Sequence, residues 1–192
     1  ENGKCIPNFS FKALYFVGGT NSETKSVSLM GTSSVFYFKE IEIDGNNQTD
    51  IKRVYNLKRG FHTVYILLKM DSLPYGMFEN CEDMLEINFS SLFNNLEIQS
   101  MRDMFSGCIY LTSIDLTNFI IKNVTLLKNM FKDCSFLKNI NISNIDISKV
   151  TDMNGMFSGC KELENIEFAN IKTNELKNIE EMFLGCSSLK SL

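Results

Sequence analysis

Cysteine is the residue whose spacing first suggests chemistry in this chain of 192 residues. Five of the six cysteines recur at intervals of 26 or 27 residues, at Cys81, Cys108, Cys134, Cys160 and Cys186. Zinc sites usually take cysteines in close pairs, whereas these neighbours lie far apart in the sequence. We therefore expect a ladder of buried free thiols rather than a metal centre.

A disulfide between neighbouring ladder cysteines is the alternative. Adjacent strands of a sheet lie about 5 Å apart, which is within reach of a disulfide bond. Each disulfide uses two cysteines, so five ladder cysteines cannot all pair with one another. Cys5 lies outside the pattern, and we expect it to be exposed or paired elsewhere.

No pattern of residues predicts an enzyme. His62 is the only histidine, and it lies in the segment FHTVYILLK, where the alternation predicts an ordinary strand residue. Neither a catalytic triad nor a histidine metal motif can be assembled around it. Gly18 and Gly19 lack the Gly-Lys-Ser/Thr ending of a phosphate loop and indicate a turn. The sequence therefore predicts no catalytic residue, no cofactor and no metal.

The segment from Asp44 to Asp50 resembles a calcium loop only superficially. The spacing of oxygen ligands and the closing glutamate of such a loop are missing. Asp44-Gly45 is instead typical of the two-residue turn of a β-hairpin.

Five Asn-x-Ser/Thr sequons are candidate N-glycosylation sites if the protein is a secreted glycoprotein. They are Asn8, Asn47, Asn88, Asn123 and Asn141. Asn and Ser are so common in this chain that several sequons arise by chance.

Charge and hydropathy exclude two classes of partner. Nineteen Lys and Arg against 23 Asp and Glu give a net charge of −4, which lacks the basic footprint of a nucleic-acid-binding protein. No run approaches the roughly 18 apolar residues that span a bilayer. The chain begins ENGKCIPNFS, which has neither region of a signal peptide. We expect a soluble chain that binds no nucleic acid and has no membrane span.

The positions around the cysteines form a repeat of 26 or 27 residues. A Met-Phe pair precedes each cysteine, at Met77-Phe78, Met104-Phe105, Met130-Phe131, Met156-Phe157 and Met182-Phe183. Apolar residues follow each cysteine at +3, +6 and +8, and in SIDLT, NINIS and NIEFA they alternate with polar ones. This period of two predicts short parallel strands near residues 86–90, 113–117, 139–143 and 165–169.

The Met-Phe part of each repeat has a different period. From Val150, apolar residues fall at Met153, Met156, Phe157 and Cys160, which predicts one face of a short helix. The residues just before the cysteines tolerate the left-handed conformation that ends a helix. They are Asn80, Gly107, Asp133, Gly159 and Gly185.

Stacked copies of such a unit predict an α/β solenoid over residues 77–192, with four full repeats and the start of a fifth. The MFxxC and IDLTNF motifs resemble the BspA-like leucine-rich-repeat surface proteins of bacteria and protists. The resemblance implies a leucine-rich-repeat horseshoe with short helices on its convex side. It also implies an extracellular role at the cell surface, in attachment or host interaction.

Residues 1–76 lack the repeat and carry another pattern. Five segments rich in aromatic and β-branched residues predict about five strands. They are FKALYFV, SVSLMG, VFYFKEIEID, DIKRVYNL and FHTVYILLK. We expect a small β-rich domain that also caps the first repeat, because the end of a repeat stack exposes apolar core.

The outward positions of the predicted repeat strands form a candidate concave binding face for a protein or glycan. These positions are Glu86, Asn88, Ser113, Asp115, Thr117, Asn139, Asn141, Ser143, Asn165 and Glu167. They make a polar, mildly acidic surface without clustered aromatic residues. Glycans on Asn88 or Asn141 would obstruct it.

A structural role is the alternative hypothesis. Residues 1–76 carry a charge of +2 and residues 77–192 a charge of −6. A head-to-tail surface filament or layer would use that asymmetry, with the N-terminal domain covering the open C-terminal repeat of a neighbour. Leu189 and Leu192 would lie at that open end, where we expect either more chain or another subunit.

Overall fold

The computed structural model describes residues 8–18, 24–31, 38–69, 74–89, 98–117, 123–168 and 173–190. All regular elements in these ranges are β-strands. They are β1 (Asn8–Val17), β2 (Thr24–Ser28), β3 (Phe38–Ile43), β4 (Asn46–Asn47), β5 (Val54–Lys58), β6 (Gly60–Lys69), β7 (Met84–Phe89), β8 (Ser113–Asp115), β9 (Asn139–Asn141) and β10 (Asn165–Glu167). The prediction of an α/β solenoid with helices on its convex side is therefore wrong.

The largest sheet joins the N-terminal strands to the first two repeats. Its strand order is β4-β3-β6-β1-β7-β8. Strand β1 pairs antiparallel with both β6 and β7, and β7 pairs parallel with β8. Two smaller sheets consist of β2 with β5 and of β9 with β10. The hydrogen bonds of this sheet thus join strands on both sides of position 76, the domain boundary proposed from the sequence. The division into two domains stays a prediction.

The N-terminal strands follow from their alternating side chains. In β1, Phe11, Ala13, Tyr15 and Val17 are buried, and the residues between them point outward. The expected β-rich character of this segment is confirmed. The expected hairpin is also present, because Asp44 and Gly45 have φ angles of 52° and 81° and connect the paired ends of β3 and β4.

The four repeat strands form where the period of two places them, but their pairing is incomplete. Strand β7 pairs parallel with β8, and β9 pairs parallel with β10. Strands β8 and β9 belong to different sheets. The expectation of four strands stacked in one continuous order is wrong at this junction.

The Met-Phe segments form turns rather than helices. These MF turns span residues 75–80, 102–107, 128–133, 154–159 and 180–185. In the second turn, the amides of Met104 and Ser106 bond to carbonyls three residues earlier. The amides of Phe105 and Gly107 donate instead to Met130 and Lys132 of the next turn. Every second amide is thus used between repeats, so no continuous helical hydrogen-bond ladder forms.

Left-handed residues recur four positions apart in every MF turn and also exclude a helix. They are Gly76, Asn80, Asp103, Gly107, Asn129, Asp133, Gly155, Gly159, Glu181 and Gly185, with φ angles from 54° to 80°. The five residues before the cysteines are among them. The left-handed conformation expected at those five positions is confirmed, although it does not end a helix.

A column of phenylalanine rings forms the centre of the repeat stack. Phe105 and Phe131 lie parallel with their ring centroids 5.4 Å apart, and Phe131 and Phe157 lie 5.6 Å apart. Both rings of each pair are fully buried. The column begins at Phe78 and ends at Phe183. Burial of these rings and of the adjacent methionines supplies the apolar area that holds the repeats together.

Residues 29–31 cover the first MF turn as a preceding repeat would. The amide of Gly31 donates to the carbonyl of Met77 at 2.8 Å, as Phe78 donates to Met104 in the next interface. A Cβ atom at Gly31 would lie 1.8 Å from the Gly76 carbonyl oxygen, so only glycine fits there. Beside this contact, Lys25 forms an ion pair with Asp83 at 2.6 Å. These contacts close the N-terminal end of the stack.

We predict that Phe131→Ala lowers the free energy of unfolding by about 3 to 5 kcal/mol, because it leaves a cavity in the phenylalanine column. Phe136→Ala is the matched control, since that ring is 39% exposed, and it should cost about 1 kcal/mol or less. Urea unfolding followed by circular dichroism measures both values. Equal losses for the two variants would contradict the central place of the column.

Candidate binding face

The repeat strands present the predicted polar residues to solvent. In β7, β9 and β10, Ile87, Ile140 and Ile166 are buried. The residues on either side of them are exposed. We call the ten sequence-predicted residues the repeat face; nine of them are exposed, and Asp115 is half-buried. The polar residues align because they occupy equivalent positions of each repeat, five and seven residues after its cysteine. These positions lie next to each other in neighbouring strands.

Hydrogen bonds between neighbouring repeats fix these side chains. The Asn88 amide donates to Asp115 Oδ2 at 2.9 Å, and the Asn141 amide donates to Glu167 Oε2 at 2.6 Å. The Asn165 amide donates to Asn139 Oδ1 at 2.8 Å. The face is therefore an ordered ladder of side chains rather than a set of independent rotamers.

Asp115 keeps its negative charge over a wide pH range. Hydrogen bonds from the Thr117 side chain and backbone, joined by the bond from Asn88, lower the pKa of its carboxyl group despite partial burial. The corresponding backbone bond in the next repeat runs from the amide of Ser143 to Asn141 Oδ1. In the loops after β8 and β9, a backbone amide is thus held by the side chain two residues before it.

Two hollows lie on this face. One of about 290 Å³ is lined by Lys12, Leu14, Thr63, Glu86, Asn88, Ser113 and Asp115, among others. The other, of about 410 Å³, lies where β8 and β9 are unpaired and is lined by Ile114, Asn139, Ile140, Asn141, Asn165 and Glu167. The structure brings eight of the ten predicted residues into these hollows, whereas Thr117 and Ser143 line neither.

The N-terminal strands extend the face beyond the predicted residues. Cross-strand partners point to the same side of a sheet. One row therefore runs over five strands through Glu42, Tyr65, Lys12, Asn88 and Asp115. We call this the long row. The sequence gives no sign of it, because strand order cannot be obtained from the alternation within each strand.

Aromatic side chains of the N-terminal strands lie on this same side, beside the predicted polar residues. Phe16 and Phe61 are cross-strand partners with ring centroids 4.9 Å apart. Phe61 is 67% exposed, and Tyr65 is 38% exposed. Alternation in β1 and β6 separates these residues from the core positions, but it does not show which strands meet. The face is therefore polar over the repeats and partly aromatic over the N-terminal strands.

The ladder cysteines lie inside the stack, away from this face. Cys81, Cys108, Cys134 and Cys160 are buried, Cys186 is half-buried, and all five are free. The thiol of Cys134 donates to the carbonyl of Phe105 at 3.2 Å, and Cys108, Cys160 and Cys186 donate in the same way to the Phe of the preceding repeat. Burial raises the pKa of each ladder thiol. These thiols are held as neutral donors, and Cys5 lies outside the described residues.

His62 lies on the inner side of β6 and is fully engaged. Its Nδ1 is 2.7 Å from Asp44 Oδ2, and its Nε2 is 2.7 Å from the carbonyl oxygen of Lys58. Burial opposes a charged imidazole, but the bonds to Asp44 and Lys58 prevail and raise the pKa of His62. Burial likewise acts against the Asp44 carboxylate, and the bonds from His62 and Thr63 nevertheless lower its pKa. The pair fixes the β3–β4 hairpin.

The sequon asparagines differ in their surroundings. Asn47 is exposed on β4, whereas the side-chain nitrogens of Asn88 and Asn141 are hydrogen-bonded within the repeat face. Asn123 is exposed, and its Oδ1 accepts a bond from Lys149. Asn8 begins β1, and its side chain lies outside the described residues. Glycosylation at these positions stays a prediction.

The described residues contain neither a cluster of metal ligands nor a helix that could span a membrane. No three His, Cys, Asp or Glu side chains come together there as metal ligands would. None of the described segments forms a helix long and apolar enough to cross a membrane.

The last MF turn is a second exposed feature. Ile179 and Leu184 are 58% and 59% exposed, and an apolar hollow of about 240 Å³ lies beside Met182 and Phe183. In the earlier turns, alternate amides donate to the next turn. The equivalent amides, at 181, 183 and 185, have no backbone partner within the described ranges. Leu189 is half-buried against the core, and Leu192 lies outside the described residues.

Comparison with known proteins gives one match. A family model described as "Mycoplasma protein of unknown function, DUF285" matches residues 74–192. The matched range contains all five MF turns and the four repeat strands. No curated protein and no solved structure matches the chain. The resemblance to BspA-like leucine-rich-repeat surface proteins stays a prediction.

We predict that iodoacetamide modifies Cys186 in the native protein well before Cys134, because only the former is partly exposed and the thiolate is the reactive form. Mass spectrometry of peptides after timed labelling measures the order. Cys108, Cys134 and Cys160 should react only after denaturation. Rapid native labelling of these three, or a bridge between two of them, would contradict the buried ladder.

We predict a pH-dependent contribution from His62 and Asp44. The raised pKa of His62 means that its contribution is full below the ordinary value of 6.5 and is lost as pH rises through the raised value. The lowered pKa of Asp44 means that its contribution is full above 3.8 and is lost at more acidic pH. The pair should add about 1 kcal/mol or less, since Asp44 is partly exposed.

An NMR titration measures this directly, because His62 is the only histidine. Its imidazole should titrate above pH 6.5, and Asp44→Asn should move the midpoint downward. A midpoint that is the same in both proteins would rule out the pairing.

Proposed function

Because this chain belongs to the DUF285 family, whose description assigns no activity, we propose a function from its surface: the protein is a binding module. Its ligand is a protein or a glycan held on the outward side of the repeat strands and of the sheet that continues them. The observation that carries this proposal is the long row, in which polar and aromatic side chains align across five strands.

The side chains of this face suit binding. Hydrogen bonds between repeats hold two amide–carboxylate pairs of the face in place, so these side chains lose less conformational entropy when a ligand binds. The exposed rings of Phe61 and Tyr65 offer large contact area at low entropic cost. Hollows of about 290 and 410 Å³ provide concave places for ligand groups.

We propose binding rather than catalysis. Asp115 and Glu167 accept bonds from amides, and His62 lies on the other side of its strand with both ring nitrogens engaged. An acid–base pair needs groups within hydrogen-bond reach of a shared substrate. A role outside the cell or at its surface is part of this proposal, and the sequence resemblance to BspA-like surface proteins supports it.

A surface filament or layer is the second candidate. The exposed Ile179 and Leu184 favour it, and so do the amides at 181, 183 and 185, which have no backbone partner among the described residues and could bond a partner backbone. The cap on the first turn weighs against simple head-to-tail contact, since the Met77 carbonyl already accepts the Gly31 amide. Sedimentation velocity separates the two candidates. A filament or layer requires that copies of the chain associate and that Leu184→Lys abolishes this association.

We predict that a ligand found on arrays of glycans and purified extracellular proteins loses at least about tenfold in affinity with Asn141→Arg. This substitution places a long side chain in the larger hollow. Asn174→Arg is the matched control, because Asn174 is exposed and lies off the strand face. Surface plasmon resonance compares the three proteins, after thermal melting shows that each is folded.

Equal weakening by both substitutions would place the ligand elsewhere on the molecule. Failure of every array component to bind the unmodified chain would count against the binding module itself.

A further inference from the structure

Three hydrogen bonds of the face end on side-chain oxygens that keep open lone pairs. The amide groups of Asn88, Asn141 and Asn165 all donate to neighbouring side chains. The acceptors that receive these bonds are carboxylate and amide oxygens, each with more than one lone pair. A ligand that meets this face therefore finds open acceptors on Asp115, Glu167 and Asn139, which suit N–H donors of the ligand.

The charges of the face also favour a ligand with cationic N–H donors. Glu42, Glu86, Asp115 and Glu167 lie on the face, and none of them forms an ion pair with a described residue. Lys12 is the cation of the long row. Amide bonds hold Asp115 and Glu167 in position without neutralising them. Fixed carboxylates of one sign attract a ligand of the opposite sign.

The aromatic residues complement cationic side chains. Tyr65 lies between Glu42 and Lys12 in the long row, and Phe61 lies further along the same strand face. A guanidinium group stacks on an aromatic ring while it bonds a carboxylate in bidentate fashion. Tyr65 next to Glu42 therefore offers both partners of one arginine side chain.

The dimensions fit an extended peptide. The long row crosses four strand-to-strand steps, which at about 4.8 Å each span about 19 Å. An extended chain rises about 3.3 Å per residue, so about six residues cover the row. A small cation would fill only part of it.

We propose that the face binds an extended, arginine- or lysine-bearing segment of a partner protein. Its basic side chains pair with Glu42, Glu86 and Asp115, and its apolar atoms lie against Tyr65 and Phe61. This inference rests on the proposed function and specifies the chemistry of the ligand.

The test uses the full chain and two fluorescein-labelled peptides, Arg-Ser repeated four times and Glu-Ser repeated four times. Fluorescence anisotropy at low salt should show binding of the arginine peptide and none of the glutamate peptide. Glu86→Gln with Asp115→Asn should weaken binding about tenfold, because two negative charges of the face are lost. Phe61→Ser should also weaken it, by loss of the stacking surface.

Glu175→Gln with Glu180→Gln is the matched control, because it removes the same net charge from exposed positions of the last described repeat. This control should change affinity by less than about twofold. An equal loss of affinity in both double variants would mean that only the overall negative charge attracts the peptide, and it would overturn the inference. The absence of any binding to the unmodified chain would overturn it too.

The two proposals fail separately. A neutral glycan whose binding is lost with Asn141→Arg, found in a protein that ignores the arginine peptide, would keep the binding module and refute the basic-segment ligand. If no substitution in the face changes the affinity for the glycan or for the arginine peptide, both proposals are wrong.

Discussion

The hydrogen bonds that pass from one MF turn to the next are the constraint on which the rest of the structure depends. Alternate amides in each of the first four turns donate to the following turn, and other amides of the turn close it on itself. This division needs a left-handed residue every four positions, which glycine, asparagine and aspartate supply at least cost. It sets the distance between repeats, and the parallel phenylalanine rings and the thiol bonds fit that distance.

The repeat face is a consequence of the same spacing. Because each turn lies directly on the next, equivalent positions of successive repeats fall side by side, and Asn88 meets Asp115 as Asn141 meets Glu167. The junction between β8 and β9 departs from this regularity, and there the larger hollow opens. Strand β1 carries the face onward by pairing with β7, which places N-terminal aromatic residues beside repeat carboxylates.

Several features follow from the sequence alone. Period-two alternation located the four repeat strands, the N-terminal strands and the outward polar residues, because solvent and core select residue types strictly by side of the strand. The turn chemistry of Asp44-Gly45 predicted its hairpin, and the small or polar residues before the cysteines predicted left-handed backbone. Spacing did not separate a helix from a turn. Apolar residues at i, i+3 and i+7 are compatible with a helix and with an MF turn. Which of the two forms depends on the amide hydrogen bonds to another repeat.

The sequence determined which residues are buried and which strands form, because each of these properties is local to a few neighbouring residues. Only the tertiary structure decided which strands are adjacent. The long row exists because β1 lies between β6 and β7, and no local pattern encodes that order. The cap at Gly31 and the exposed pair of Phe16 and Phe61 have the same origin. They depend on contacts between residues distant in sequence, whose free energy is gained only when the whole sheet assembles.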